Sequence, residues 1–476
     1  MNHGAMNHSA MNQATDRFLA LVGDVPASTD PATIRRKSRD FYWYSPILRE
    51  QLDGLQADCV VTPRTEHDLL AIARAARQSG IFLTARGGGT GNYGQAVPLR
   101  GGAIVDMTGL DGLVWLRGDV ARVRAGTNML ALDRALRAQG RELRMFPSTK
   151  RTATIGGFVC GGSGGIGSVT WGGLRAPGNL LATRVVTMED EPRAVELRGP
   201  DTRIVNHAYG TTGFVTELEL PVEPAVDWCD MAVAFPDLTQ AARFAHLLAT
   251  QTGLQKKLVS VMDCRLLPYF APLRNRVPAG RALVILMMAP AAIEPTRALI
   301  AREHGELCYS CNTAEAEDDP GHVPLYELTW NHTTLQVLKK DRSYTYLQTG
   351  FPPADALARV AALAAQFPDE LLTHLEFLPM EGGMSCAGLP VIRFTDSARL
   401  DKIMAAHDAA GISVANPHVY TIEDGGAHRG LSPDLAADKR RFDPAGLLNP
   451  GKMRSFEALA GALDGAPNGA GRAAES

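Results

Sequence analysis

The chain has 476 residues, 45% of them hydrophobic and 21% charged, and a formal net charge of −3. That length predicts two or three domains, and the charge balance excludes the basic footprint of a nucleic-acid binder, leaving a small molecule as the expected partner. Seven cysteines, an odd number spread along the chain, predict free thiols and not a disulfide framework.

Residues 1–18 (MNHGAMNHSAMNQATDRF) carry neither the charged nor the apolar region of a secretory signal, so a cytoplasmic location is expected. The most apolar stretch, 282–293, is broken by Pro290 and falls far short of the roughly 18 apolar residues that span a bilayer, so no membrane span is expected. Cys59 to Pro63 reads as a strand, Glu66 to Gly80 as a helix through Leu69, Leu70, Ile72, Ala73 and Ala76, and Ile81 to Ala85 as a second strand. Together they predict a compact βαβ unit. Strands about Ala103–Met107 and on either side of Gly118-Asp119 follow, then a helix from about Asn128 to Gly140 and a second sheet-rich lobe with strands at Arg184–Met188 and after Gly210. Beyond Pro224 longer helices such as Leu238–Thr252 alternate with apolar strands such as Leu283–Met288, which places a domain boundary near residue 225. Glu315–Asp319 reads as a solvated acidic loop, FDPAGLLNPGKM at 442–453 as a turn-dense segment foreign to a helical domain, and the Gly/Ala-rich end as a disordered tail.

Two stretches match G-x-G-x-x-G, Gly89-Thr90-Gly91-Asn92-Tyr93-Gly94 and Gly162-Ser163-Gly164-Gly165-Ile166-Gly167. In a dinucleotide fold the pattern must open a helix whose N–H groups face a pyrophosphate. Here Pro98, Gly101 and Gly102 follow the first match and Gly172, Gly173 and Pro177 the second, so neither starts a helix of useful length. Clustered glycines instead let backbone amides form a nest around phosphate. Two nests about 70 residues apart suit a long diphosphate cofactor.

Six motifs in order then resemble the FAD-linked oxidases of the vanillyl-alcohol oxidase and p-cresol methylhydroxylase (PCMH) type: Arg86 to Asn92, Pro147-Ser148-Thr149, Thr154-Ile155-Gly156-Gly157, Gly161 to Gly167, Gly210 to Thr216 and Asn449-Pro450-Gly451-Lys452. The resemblance implies an α+β fold with a two-lobed PCMH-type FAD-binding domain over residues 55–225. It further implies an inserted α+β substrate or cap domain over 226–435 and a segment at 436–456 that returns to the FAD side, leaving 1–54 as an N-terminal extension with helices and 457–476 as the tail. It implies FAD as cofactor, held by Arg86, Gly87, Gly88, Gly89, Thr90, Gly91, Asn92, Pro147, Ser148, Thr149, Thr154, Gly156, Gly157, Cys160, Gly161, Gly164, Ile166, Gly167, Gly213, Val215, Asn449 and Lys452. Many members tether FAD to a first-loop histidine; Gly89 and Thr90 stand in that place here, so non-covalent FAD is expected.

Oxidising an alcohol through a flavin requires a proton acceptor and donors that orient the substrate. Polar residues at period two on cap strands are the candidates: His374 and Glu376 in LLTHLEFLP, Tyr344, Tyr346 and Gln348 in DRSYTYLQTG, and His418 and Tyr420 with Glu423 and Asp424 beyond. His418, His374, Glu376 and Tyr346 are the expected catalytic group, with Arg393, or Arg342, as a carboxylate anchor. His332 falls on an apolar helical face with Leu325, Leu328, Leu335 and Leu338 and is expected to be a core histidine. No metal is expected: His418 and His428 around Glu423-Asp424-Gly425-Gly426 are looser than the histidine pair of glycolate and D-lactate dehydrogenases, and Cys308-Tyr309-Ser310-Cys311 lacks a second C-x-x-C. The expected activity is FAD-dependent dehydrogenation of a small alcohol or hydroxy acid, by an oxidase or a dehydrogenase. A phenol oxidase or hydroxylase and an electron-transfer flavin subunit stand as alternatives, with oxygen, a quinone or a carrier protein as electron acceptor.

Overall fold

The computed structural model describes residues 8–425 and 435–457. His428 and the tail beyond Glu457 lie outside the described residues.

The first lobe is a four-stranded sheet in the order Ala27–Ser28, Cys59–Val61, Ala103–Asp106, Leu83–Arg86. Both strands of the βαβ reading pair in parallel with Ala103–Asp106, which lies between them, so the unit is opened by a third strand. The crossover helix Glu66–Ser79 begins on a reciprocal cap, the Thr65 side chain accepting from Asp68 N–H while the Asp68 carboxylate accepts from Thr65 N–H, and ends on Gly80 at φ 73°. Leu69, Ile72, Ala73 and Ala76 form its buried face.

The second lobe is a six-stranded antiparallel sheet. Its spine Phe214–Pro224 pairs with Val120–Arg124, with Ala182–Val186 and with Arg141–Leu143. The helix that follows the second strand pair is Met129–Arg137, capped by Asn128, whose side chain accepts from Leu130 and Ala131 N–H. After residue 225 the chain builds an eight-stranded sheet in which Cys229–Phe235, Ala282–Met288, Lys256–Met262 and His374–Met380 are consecutive neighbours. Helices including Leu238–Thr250 and Ala356–Gln366 share a buried apolar cluster with the odd-numbered side chains Leu375 and Phe377 of that sheet. The even-numbered His374 and Glu376 therefore face the other way, toward the FAD-side lobes.

Two elements differ from the sequence reading. The acidic stretch forms the helix Thr313–Asp318, capped by Asn312, and not a loop; Glu317 on it meets the buried Lys150 Nζ at 2.8 Å, an attraction that composition alone does not reveal. The apolar run carrying His332 is two pieces, Leu325–Leu328 and Asn331–Leu338, broken at Thr329-Trp330. The segment 442–453 finds its place on the first lobe: Leu83 N–H donates to Leu447 O at 2.9 Å and Asn449 N–H to Leu83 O at 2.6 Å, extending the edge of the parallel sheet. Lys439, buried against Asp443 at 2.5 Å, donates to Leu448 O and fixes the turn.

Candidate functional site

A cavity of about 810 Å³ is lined jointly by both lobes and by the cap sheet. Strand Leu83–Arg86 delivers the first glycine loop to it. A Cβ on Gly87 would stand 2.2 Å from Thr154 Oγ1 and one on Gly88 2.2 Å from Thr152 O, so only glycine lets this loop lie directly on the start of helix Ile155–Gly161. Gly89 takes φ 66° above the Arg86 guanidinium, which donates to Arg39 O. The loop's outer side is held by the N-terminal extension: Phe41 N–H donates to Gly91 O at 2.7 Å, and Asp40, which lines the cavity, accepts from Tyr42 and Ala96 N–H. Burial raises the Asp40 carboxyl above its ordinary range and lowers the Lys452 ammonium below its own, while each charge opposes the shift of the other.

The second loop is docked on the first through Gln95, whose Nε2 donates to Gly161 O at 2.8 Å. A Cβ on Gly165 would lie 2.3 Å from Phe146 O, another approach that excludes side chains. Opposite run His207 and Tyr209, both left-handed at φ 58° and 53°, donating backbone N–H to Val159 O and Cys160 O at 2.9 and 3.0 Å. His207 Nδ1 lies 2.9 Å from Gly162 O; a carbonyl only accepts, so Nδ1 carries the proton and Nε2 is the basic nitrogen. On the cap wall, Trp330 is also left-handed at φ 51° and is followed by Asn331. The Tyr93 hydroxyl reaches from the first loop to donate to Gln348 Oε1 at 2.5 Å, and Gln348 Nε2 lies 3.5 Å from Asn331 Oδ1. Of the five non-glycine residues with positive φ among the described residues, His207, Tyr209 and Trp330 line this cavity and Asn449 donates to Tyr209 O. Each such residue stores on the order of 1–3 kcal/mol of strain, a cost that clusters where proteins act on ligands.

The cavity wall takes in Arg86, Gly87, Gly88, Gly89, Thr90, Gly91, Asn92, Pro147, Ser148, Thr149, Thr154, Gly156, Gly157, Cys160, Gly161, Gly164, Gly213 and Val215. Ile166, Gly167, Asn449 and Lys452 stand behind it: Ile166 bridges to Phe146, Gly167 N–H donates to Lys257 O, Asn449 Nδ2 to Gln95 O, and Lys452 Nζ to Gly94 O. The Cys160 thiol is pushed up to about 12 by burial, so it stays protonated at neutral pH.

The residues expected to be catalytic stand elsewhere; of the other cap-strand candidates, Gln348 is on the wall. His418 is buried between Ser45 Oγ at 2.8 Å and Tyr346 O at 3.0 Å, closing the N-terminal extension onto the cap. Tyr346 is fully buried, its ring edge-on to Tyr44. His374 and Glu376 do face the FAD side, but residues 325–338 intervene, and the Glu376 carboxylate accepts from Trp330 N–H at 2.7 Å. Arg393 is exposed at the three-stranded sheet, and Arg342 stacks on the Trp43 ring. Tyr420 packs beneath Lys452, and Glu423 accepts from Ser455. His332 is half-buried; desolvation lowers it to about 4, and a backbone hydrogen bond at Glu327 opposes the shift. Cys311 is raised by burial to about 11, and no group of three or more His, Cys, Asp or Glu among the described residues is arranged to hold a metal ion.

Sequence reading missed Asp40, Gln95, Arg175, His207, Tyr209 and the cap wall of Trp330 and Asn331. His207 and Tyr209 both precede the Gly210 turn, where a polar residue before glycine signals a strained turn. Asp40 and Trp330 reach the cavity only through tertiary docking, which no local pattern encodes.

The donors fit FAD. Glycine loops with no room for side chains approach the cavity from two sides, and along the first loop Arg86 Nε and Asn92 Nδ2 are buried without an acceptor among the described residues, suiting an acceptor-rich pyrophosphate. A family profile described as an FAD binding domain matches residues 57–193. The chain is 26% identical to an uncharacterized FAD-linked oxidoreductase of Mycobacterium tuberculosis over 267 residues, 53% of this chain and 55% of the relative, so the match spans about half of either length. It is 33% identical to the D-2-hydroxyglutarate dehydrogenase of Escherichia coli over 33% of this chain and 16% of that protein, and 26% identical to the E. coli glycolate oxidase subunit GlcD over 42% of each. A solved alkyldihydroxyacetonephosphate synthase shares the fold over 95% of this chain and 86% of its own at a TM-score of 0.70 and 15% identity.

Proposed function

This chain belongs to the PCMH-type FAD-binding family, and from that premise we propose that it is an FAD-dependent oxidoreductase that dehydrogenates a small alcohol or hydroxy acid at its CH–OH carbon. The observation that carries the reading is the joint wall: backbone loops that admit only glycine meet, in one cavity, a cap surface bearing amide and aromatic side chains. The hydroxy-acid names of the partial relatives support the substrate class.

Bound FAD supplies a two-electron acceptor for the carbinol hydride. The chain supplies the rest. Gly87 to Gly91, Asn92, Thr154 and Gly156 would hold the cofactor's phosphates and sugar chain through backbone and short polar donors. The Gln348 and Asn331 amides, fixed by the Tyr93 hydroxyl, orient the substrate hydroxyl. His207, with its proton on Nδ1 and its acceptor on Nε2, takes the hydroxyl proton in this reading, a role worth typically a hundredfold or more in rate.

The test is anaerobic reduction of the FAD-loaded protein, followed by bleaching of the flavin band, against simple alcohols, 2-hydroxy acids and phenols. Reduction by an alcohol or 2-hydroxy acid without any partner protein is the expected result. Reduction by phenols alone, or by no compound without an added protein donor, overturns it.

A further inference from the structure

Trp330 holds φ 51° and ψ −142°, where a bulky residue is an outlier. Its backbone N–H donates to Glu376 Oε1 at 2.7 Å, and that oxygen also accepts from His374 Nε2 at 2.8 Å and Ser260 Oγ at 3.0 Å. Ser260, His374 and Glu376 are all at most 1% exposed. Three donors thus converge on one carboxylate oxygen deep in the cap, and the strained residue among them is the one on the cavity wall. Its indole lies on the second glycine loop: a Cβ on Gly164 would stand 2.9 Å from Trp330 Cη2. Asn331, the next residue, reaches Gln348.

We infer that Trp330 is the specificity-determining wall of the substrate chamber, and that Glu376 is its positioning residue, acting through the Trp330 backbone and touching neither substrate nor cofactor. The inference rests on the oxidoreductase reading of the cavity and deepens it. The indole closes the chamber at its Gly164 end beside the orienting amides, so the substrate class is a hydroxyl compound that is compact at the end meeting the ring. A carboxylate is the fitting acceptor because it binds the Trp330, His374 and Ser260 donors at once, whereas an uncharged apolar residue there leaves Trp330 free to relax to an ordinary backbone conformation.

The experiment compares Trp330→Gly, Glu376→Leu, their double variant and Glu376→Gln, each as the full chain with FAD. Glycine adopts the Trp330 angles without strain, so Trp330→Gly removes the ring and leaves the cavity wall no longer dependent on the Glu376 acceptor, which still serves His374 and Ser260. Two readouts are taken: the visible absorbance spectrum of bound FAD, and kcat/KM for 2-hydroxy acids from glycolate to 2-hydroxyoctanoate. We expect Trp330→Gly to shift the FAD spectrum and to raise the long-to-short selectivity ratio tenfold or more, and Glu376→Leu to move both in the same direction. The double variant then matches Trp330→Gly alone, and Glu376→Gln, which keeps an acceptor oxygen, stays within about twofold of the parent. Additive effects in the double variant, or an unchanged spectrum and ratio in Trp330→Gly, overturn the inference. Should Glu376→Leu fail to fold, Trp330→Gly alone and Glu376→Gln decide the inference by the same two readouts. If no hydroxy acid is turned over by the parent, the proposed activity is what fails, and the spectral comparison still decides this inference.

Discussion

His418 Nε2 stands 3.0 Å from the carbonyl oxygen of Tyr346, so it is the protonated nitrogen, and Nδ1 must accept from the Ser45 hydroxyl at 2.8 Å. Ser45 Oγ already accepts from Leu48 N–H as the cap of helix Pro46–Leu52. A second proton on His418 therefore breaks a chain of bonds that joins the N-terminal extension to the cap. Burial holds His418 down to about 4, against an ordinary 6.5. Because the folded value is depressed, its contribution is complete above pH 6.5, fades as pH falls, and is lost below about 4, a swing of about 3 kcal/mol. His418→Gln keeps a donor for Tyr346 and an acceptor for Ser45 but cannot titrate. Urea unfolding from pH 7 to pH 4 is expected to show a smaller loss of stability in the variant than in the parent, by up to that amount; equal losses count against the assignment.

Gly88 is the tightest test of the cofactor cradle. A methyl group there meets Thr152 O at 2.2 Å, a backbone atom that cannot swing away. Gly88→Ala must displace the first loop from helix Ile155–Gly161, at a cost of about 1–3 kcal/mol in stability. We expect FAD affinity to fall at least tenfold, read by quenching of flavin fluorescence on titration with apoprotein. Gly253→Ala, where a Cβ meets nothing within 4 Å, serves as the control and should bind as the parent does.

The difference between the two sides of the cavity explains what the sequence could reveal. Glycine clusters are legible because a backbone that must approach both a ligand and another loop forbids every side chain, leaving runs such as Arg86 to Gly91 in the letters themselves. The cap wall is not legible in this way. Period two puts His374 and Glu376 on one face of their strand, and that face does point toward the lobes. What the pattern omits is the layer between: residues 325–338 cross that face, so the polar pair meets Trp330 and not the cavity. Helical periodicity hid the same layer, since Leu325, Leu328, His332, Leu335 and Leu338 fit one face of a continuous helix while the chain breaks at Thr329-Trp330. Likewise, Lys150 draws Glu317 into a buried pair although its acidic neighbours suggest solvent.

Lys257 on the cap strand and Glu142 on the second lobe form a pair at 2.5 Å with both side chains at most 5% exposed. Lys257 also donates to Leu143 O at 2.7 Å, and Trp228 Nε1 donates to Glu142 at 2.9 Å. Burial pulls Lys257 below its ordinary range and the Glu142 charge pulls it back. Without Lys257 the Glu142 carboxylate keeps the half-exposed Arg137 at 2.6 Å as its cation, so the loss stays below the about 3–5 kcal/mol of a fully stranded buried charge. Lys257→Met is expected to lower the urea-unfolding free energy by less than about 3 kcal/mol, and Lys257→Met/Glu142→Gln to recover part of that loss. A double variant no more stable than the single one would show that the pair contributes chiefly through its bonds to Leu143 and Trp228.

The FAD is expected to be held without a covalent bond. Neither Gly89 nor Thr90 offers the imidazole that tethers flavin in many relatives, and the space above Gly89 is already filled, since any Cβ there would fall within 2.0 Å of the Arg86 guanidinium. Gly89 also takes φ 66°, which disfavours any side chain. Cys160 also lies on the wall, but burial raises its thiol to about 12 and leaves almost no thiolate at neutral pH. His418, on the cap, has both ring nitrogens engaged by Ser45 and Tyr346. Acid precipitation of the FAD-loaded protein should therefore give a white pellet and a yellow supernatant, with the intact mass of the chain unchanged. A yellow pellet whose mass is raised by one FAD would overturn this, and peptide mapping would then identify the flavinylated residue.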